Sequence, residues 1–350
     1  MSLFQRRGLN ITESTGNALG SLIKFTDIGQ EFPIAAMWLV VTATPTAVMA
    51  NDNADGILNL VKRVKLSVQD GGQNRVVVDA NGPSLIEYFR QIGGALSATT
   101  MAAINVDSTS AKTIIYPIPC VMPNVSDPIG SLLLLPVHRY TQKPILEVQL
   151  ASQAEMDVSA PTFAVAAGVS VRLVVQRSFV NIAGQPFLNW ELVEQDIVYP
   201  GTRTQVRSEL PVPGAFTGLL LRGYTSNAIR ADVTGNGNLS INIAGSDIFQ
   251  TRWRDLAEIN EHSIAPLTGN QFGGVTLPDR ASVFFDFLSD GPGADSHDFG
   301  SLLNVNGLAG SGIRAQIVHD YTYTGTTTKL GVLYHRILGD ITPMIAGKRV

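Results

Sequence analysis

Three strand-like alternations in the first half of the chain recur in the same order in the second. Val64, Leu66 and Val68 alternate with Arg63, Lys65, Ser67 and Gln69, the period of two expected of an antiparallel strand with one wet face. A turn, a short strand and a helix opened by Pro83 follow. In the second half Leu239, Ile241 and Ile243 are likewise followed by a turn, the run Ile248-Phe249-Gln250 and a helix around Trp253. Further on, Leu146, Val148 and Leu150 correspond to Ile313, Ala315 and Ile317, and Val171, Leu173 and Val175 to Leu330, Val332 and Tyr334. Ordered repetition of this kind reads as duplication of a β domain. The separations shrink along the chain, so the second half has shorter loops.

A chain of 350 residues exceeds the roughly 250–300 residues at which one hydrophobic core stops growing, which agrees with two domains. The 33 glycines and 18 prolines punctuate short Val/Ile/Leu-rich runs about every ten residues, the spacing of a β-sandwich or barrel. The expected strands are Met37–Thr44, Leu60–Gln69, Arg75–Val78, Lys112–Ile118, Leu132–Val137, Ile145–Leu150, Val169–Phe179, Gly218–Gly223, Asn238–Ile243, Ser282–Phe287, Ile313–Tyr321 and Lys329–Ile337. Two helices are expected inside strand connections. One places Leu85, Ile86, Phe89 and Ile92 on a single face and ends at Gly93; the other spaces Trp253, Leu256 and Ile259 at helical period. The Pro- and Gly-rich stretch Tyr199–Gly214 reads as the junction. The expected organisation is an N-terminal arm over 1–23, a first domain over 24–202, and a second domain with a C-terminal tail over 203–350.

Residues 35–93 carry a resemblance to a known family. Met37–Thr44, a polar turn at Asn51–Gly56, Leu60–Gln69, a turn at Asp70–Gln73, Arg75–Val78 and the helix Pro83–Ile92 follow one another as in the double jelly-roll major capsid proteins. That family coats tailless icosahedral, membrane-containing bacteriophages of the tectivirus and corticovirus kind, and some larger eukaryotic viruses. The resemblance implies an all-β chain of two tandem eight-stranded jelly-roll sandwiches with short helices in strand connections. It further implies a non-enzymatic subunit of an icosahedral virion shell, made in the host cytoplasm. Its implied partners are copies of itself in a homotrimer, neighbouring capsomers and minor capsid or vertex proteins. It carries no cofactor.

Charge agrees with this. Only 15% of residues are charged, against roughly 25% in an ordinary soluble domain, which suits flanks buried against other copies. The formal net charge is −4 and no basic run exists, so direct nucleic-acid binding is not expected. In the arm, apolar Leu3 and Phe4 precede Arg6 and Arg7, with no acid before Glu13. That suits contact with an anionic inner membrane, where each cation contributes about 1 kcal/mol. The opening MSLFQRRGLNITES has no apolar core of the secretory type.

The search for chemistry is mostly negative. No nucleophile elbow, zincin helix, P-loop or C-x-x-C pair is present. Asn51, Asn53, Asp55 and Gly56 open like a calcium loop, but Lys62 stands where the bidentate acid belongs. Asp290, Asp295, His297 and Asp298 crowd a Gly/Pro-rich loop that reads as surface. The histidines His138, His262, His297, His319 and His335 are scattered, and His319-Asp320 is expected to be solvated. Cys120 reads as a small buried hydrophobe, and Trp190 and Trp253 as core. Asn10, Asn124 and Asn238 head glycosylation sequons that are expected to be unused. Two other functions remain open. A secreted paired-jelly-roll hydrolase (an amidase or glycosidase) would use Glu191, Glu194 and Asp196 near the junction. A virion spike or carbohydrate-binding sandwich would need exposed aromatics, whereas aromatic residues total 7%.

Overall fold

The computed structural model of the chain describes residues 6–47, 55–94, 96–105, 108–120, 133–156, 163–178, 187–198, 206–224, 237–263, 282–287, 302–308, 310–319 and 329–339. Its described residues fall into two compact units, one before and one after the step from Leu188 to Asn189.

In the first unit β1 (Arg6–Asn17), β8 (Val165–Ser178), β3 (Ile34–Pro45) and β6 (Lys112–Pro119) are neighbours in that order. A second layer runs β2 (Leu22–Phe25), β7 (Gln142–Leu150), β4 (Val61–Asp70), β5 (Gln73–Ala80). All ladders within it are antiparallel. Strand alternation turns Met37, Leu39 and Val41, Val64, Leu66 and Val68, Leu146 and Val148, and Val171 and Leu173 into the core, where all are essentially inaccessible. Burial of such side chains contributes about 1.5–3 kcal/mol each.

The second unit repeats the plan. β9 (Asn189–Val198), β17 (Lys329–Leu338), β11 (Ala215–Tyr224) and β14 (Ser282–Asp286) form one layer, with the short β15 (Leu303–Asn304) beside β11. β10 (Val206–Glu209), β16 (Ala315–His319), β12 (Asn238–Ile243) and β13 (Ser246–Arg252) form the other. Taking the strands of each unit in chain order, both units place first, eighth, third and sixth in one layer, and second, seventh, fourth and fifth in the other, with β15 as an addition. That is the jelly-roll order, twice. The core of the second unit gathers Phe216, Leu219, Leu221, Leu239, Ile241, Trp253, Ile317, Val332 and Tyr334.

The expected helices stand in corresponding connections, between the fifth and sixth strands of each unit. They are α1 (Gly82–Gln91) and α3 (Trp253–Ser263). Pro83 sits in the first turn of α1, and Gly93 at φ +85° follows its end. Gly82 is required by space: a Cβ there would lie 2.3 Å from the Val61 carbonyl oxygen and 2.9 Å from Tyr116. A further helix, α2 (Ala98–Asn105), lies along β6. The Ile115 N–H of β6 donates to Thr100 Oγ1 at 3.0 Å, which satisfies part of an otherwise open sheet edge.

Four expectations are corrected. Leu132–Val137 is not a strand: Val137–Arg139 is a 3₁₀ turn and Leu135 makes only an isolated bridge to Ile34. An apolar run buried on all sides imitates a strand, and Pro136 cannot donate to a ladder. The arm over 1–23 is largely structured, because β1 takes up Arg6–Asn17 and pairs with β8. The second unit begins at Asn189 rather than 203, because β9 pairs with β17 along its whole length. Within the repeat, Ile313 is not an inward position. It is exposed, and the buried face of β16 carries Ala315, Ile317 and His319.

Candidate functional site

The carboxylates of the hydrolase alternative lie on β9, and strand alternation separates them. Glu191 shares a face with the core-packed Val193; Glu194 and Asp196 point to the other. Each has a partner. Arg336 Nε donates to Glu191 Oε1 at 2.5 Å, and its Nη1 donates to the Pro213 carbonyl at 2.8 Å. Tyr224 OH donates to Glu194 Oε1 at 3.3 Å. Lys329 Nζ lies 2.6 Å from Asp196. Arg222 and Lys329 both stand over the Tyr224 ring, each 5.3 Å from its centroid. These contacts tie β9, β11 and β17 together, and they do not converge the three carboxylates on one reacting point.

The other candidates disperse. Asp290, Asp295, His297, Asp298 and Asp320 lie outside the described residues, as do Asn51, Asn53, Leu3 and Phe4. Asp55 is buried, Gly56 opens a 3₁₀ turn, and Lys62 pairs with Glu155 at 2.6 Å. Arg6 and Arg7 have their backbones in register with Ser178 and Arg177. Cys120 is buried, and desolvation pushes its thiol far above the usual range. Among the described residues no group of three or more His, Cys, Asp or Glu is placed to hold a metal ion.

The expectation of a solvated His319 is overturned. Its ring is inaccessible and lies 5.8 Å from that of Trp253. His335 is also buried, with Nδ1 2.5 Å from Thr217 Oγ1 and its ring 5.4 Å from that of Trp190. Burial alone lowers both imidazoles to about 3. Trp190 and Trp253 are core residues, as their sequence patterns suggest.

The most distinctive surface is one the sequence search did not single out. On the face of the β1-β8-β3-β6 layer that points away from the core, direct cross-strand partners form a row: Ile11, Val174, Trp38 and Pro117. The adjacent row is Glu13, Arg172, Val40 and Ile115. Phe89 of α1 and Leu96 close one side, leaving a cavity of about 310 Å³ whose remaining lining residue is Ser97. Ser170 Oγ donates to Glu13 Oε1 at 2.8 Å on the polar flank. An outward sheet face is normally wet. The signal was present in β3, IAAMWLVVTATP, whose outward positions Ala36, Trp38 and Val40 are as apolar as its inward ones.

No family model and no curated protein matches the chain. Solved structures do. The major capsid protein of Sulfolobus turreted icosahedral virus is similar at a TM-score of 0.64 and 13% identity, over 97% of this chain and 99% of that one. The major capsid protein P2 of bacteriophage PM2 is similar at 0.52 and 12%, over 95% and 98%. The Faustovirus major capsid protein is similar at 0.55 and 11%, over 95% and 90%. With its own strand order repeated in both units, the chain has the double jelly-roll fold of viral major capsid proteins.

Proposed function

We propose that this chain is a viral major capsid protein, a structural subunit that assembles with copies of itself into the shell of a virion. The observation that carries the reading is the twin jelly roll over nearly the whole chain, in the size and order of the capsid proteins it resembles. Low charge and an outward apolar sheet face support it, since permanent interfaces are large and apolar. In finer detail, the subunit forms homotrimeric capsomers in an icosahedral shell around an internal membrane, in a bacteriophage of the tectivirus or corticovirus kind. It is synthesised in the host cytoplasm, contacts minor capsid and vertex proteins, and does not bind nucleic acid directly. Size-exclusion chromatography with light scattering tests the core of this: a stable species near three times 37.4 kDa is expected, and a protein that stays monomeric at high micromolar concentration rejects it.

Membrane contact is assigned to Leu3, Phe4, Arg6 and Arg7. Two cations contribute about 2 kcal/mol together, too little for one chain but additive over the copies of a shell. Deleting residues 2–5 while changing Arg6 and Arg7 to Gln spares the rest of β1. Trimers with membrane-free shells are expected; shells that enclose membrane at wild-type yield reject the anchor.

A further inference from the structure

The cleft on the outward face of the β1-β8-β3-β6 layer suits one kind of chemistry. Of its lining residues only Ser97 has a polar side chain, and that hydroxyl is used internally. It donates to Thr100 Oγ1 at 2.9 Å and accepts from the Thr100 N–H at 3.1 Å. A molecule in the cleft therefore meets aliphatic and aromatic carbon, with no side chain waiting for a hydrogen bond. The same face of the second unit is closed: Leu333, Leu220 and Phe284, direct partners across β17, β11 and β14, are at most 2% exposed. The duplicated plan does not by itself produce the cleft.

Its walls are held in place by the chain itself. The Phe89 ring rests on bare backbone: the Gly94 N–H donates to the Phe89 carbonyl at 2.8 Å, and a Cβ on Gly94 would stand 2.4 Å from the ring. Leu96 and Ser97 lead into α2, which is pinned to β6 where the Ile115 N–H donates to Thr100 Oγ1 at 3.0 Å. A pre-formed, mostly apolar concavity is the usual form of a small-molecule site. One cation stands at the rim. Arg172 is the direct β8 partner of Val40 and lies two residues from Val174, both of which line the cleft. It is exposed, and among the described residues its guanidinium makes no hydrogen bond or ion pair. The neighbouring Glu13 accepts from Ser170 Oγ instead, at 2.8 Å.

We infer that this cleft binds a fatty acid, with the hydrocarbon chain against Trp38, Val40 and Phe89 and the carboxylate at Arg172. The size selects a single chain. At about 310 Å³ the cleft is twice the roughly 150 Å³ of an apolar cavity that takes one benzene ring, which is room for one chain of on the order of ten carbons. The two chains of a phospholipid do not fit. The charge selects the head. Burial of the chain drives binding, and a carboxylate paired with the guanidinium fixes which end stays at the surface. An uncharged hydrocarbon would use the floor and leave Arg172 without a role. All the residues of the site belong to the first unit.

Trp38 reports on occupancy. It lines the cleft and is half-buried, whereas the chain's other tryptophans, Trp190 and Trp253, are each 1% exposed. The purified chain is titrated with terminally brominated undecanoate below its micelle-forming concentration, because bromine quenches an indole that it touches. Saturable quenching of no more than one tryptophan's share of the emission is expected, reversed by plain undecanoate. Val40→Phe and Val174→Phe, both at outward positions, fill the cleft, and whichever of them is folded by circular dichroism is expected to lose the quenching. Arg172→Gln is expected to weaken the acid about threefold and to leave the affinity for brominated undecanol unchanged. The inference is overturned by an acid that gives no saturable quenching, by quenching that survives in a folded phenylalanine variant, or by an Arg172→Gln chain that binds the acid as wild type does. Vesicles of phosphatidylglycerol with brominated chains are expected not to quench. Quenching by those vesicles and not by the acid would assign the face to a bilayer and overturn the single-chain site.

Discussion

His319 and His335 are imidazoles held in apolar surroundings, and their burial has a pH signature. Both are lowered to about 3 in the folded chain, against about 6.5 when exposed. The unfolded chain therefore takes up protons between pH 6.5 and 3 that the folded chain refuses. Their contribution is complete above pH 6.5 and is lost as pH falls, by about 2 kcal/mol per imidazole between pH 7 and pH 5. Urea midpoints at those two pH values are expected to diverge in the wild type and to differ by about half as much in His319→Phe, where His335 keeps its share and the new ring can pack beside Trp253. An undiminished pH dependence in that variant counts against the assignment. Gly82 makes a steric prediction: alanine there meets the Val61 carbonyl and should cost about 2 kcal/mol or more, measured as a fall in melting temperature. Cys120, Trp190 and Trp253 were legible as buried from their apolar or periodic neighbours. His319 was misjudged because residue type was weighed above position. It stands two residues beyond Ile317 on a strand, and strand parity placed it on the buried face.

At the scale of elements, most strands with an alternating or continuously apolar sequence were legible, and polar ones such as β1 were missed. β12 lies at the expected residues, and β3, β4, β7, β8 and β17 agree within a few positions. β1 escaped because its pattern is inverted. Ile11 points outward while Thr12 and Ser14 share a face with the core residues Leu173 and Val171. Backbone pairing with β8, rather than burial of its own side chains, holds it in place. The apolar groove escaped for the complementary reason: an outward face as apolar as the inward one gives β3 no period to read. Two truncations separate arm from strand. Removing residues 2–5 is expected to leave the melting temperature unchanged. Removing residues 2–17 exposes one side of β8 and is expected to promote aggregation, followed by static light scattering. Equal behaviour of the two would show that β1 contributes little.

At the scale of the whole molecule, duplication was legible because three alternations kept their order, and the matching strand orders account for it. What no alternation pattern states is how ladders close between distant parts of the chain, or which copy of an apolar face is left open. An assembly built on such faces draws little on surface charge. Its midpoint concentration is therefore expected to change by less than tenfold between about 0.1 M and 1 M sodium chloride, although the Debye length falls from about 10 Å to 3 Å. A steep weakening with salt, measured by light scattering across a dilution series, would instead point to ion pairs as the main attraction.

The pairing of Arg6 with Ser178 also sets a clock. β1 leaves the ribosome well before β8 and finds its partner only when β8 emerges. At about 5–20 residues per second that wait is on the order of 10 s. Closing so distant a pair is slow even in the complete chain, because loop entropy is lost before the contact rewards it. During that interval Val171, Leu173 and Val175 are unsynthesised, and the β3 edge with which they will pair is open to other nascent chains. In a cell making many copies at once, the yield of soluble subunit is expected to follow translation rate and chaperone supply more closely than the stability of the finished fold.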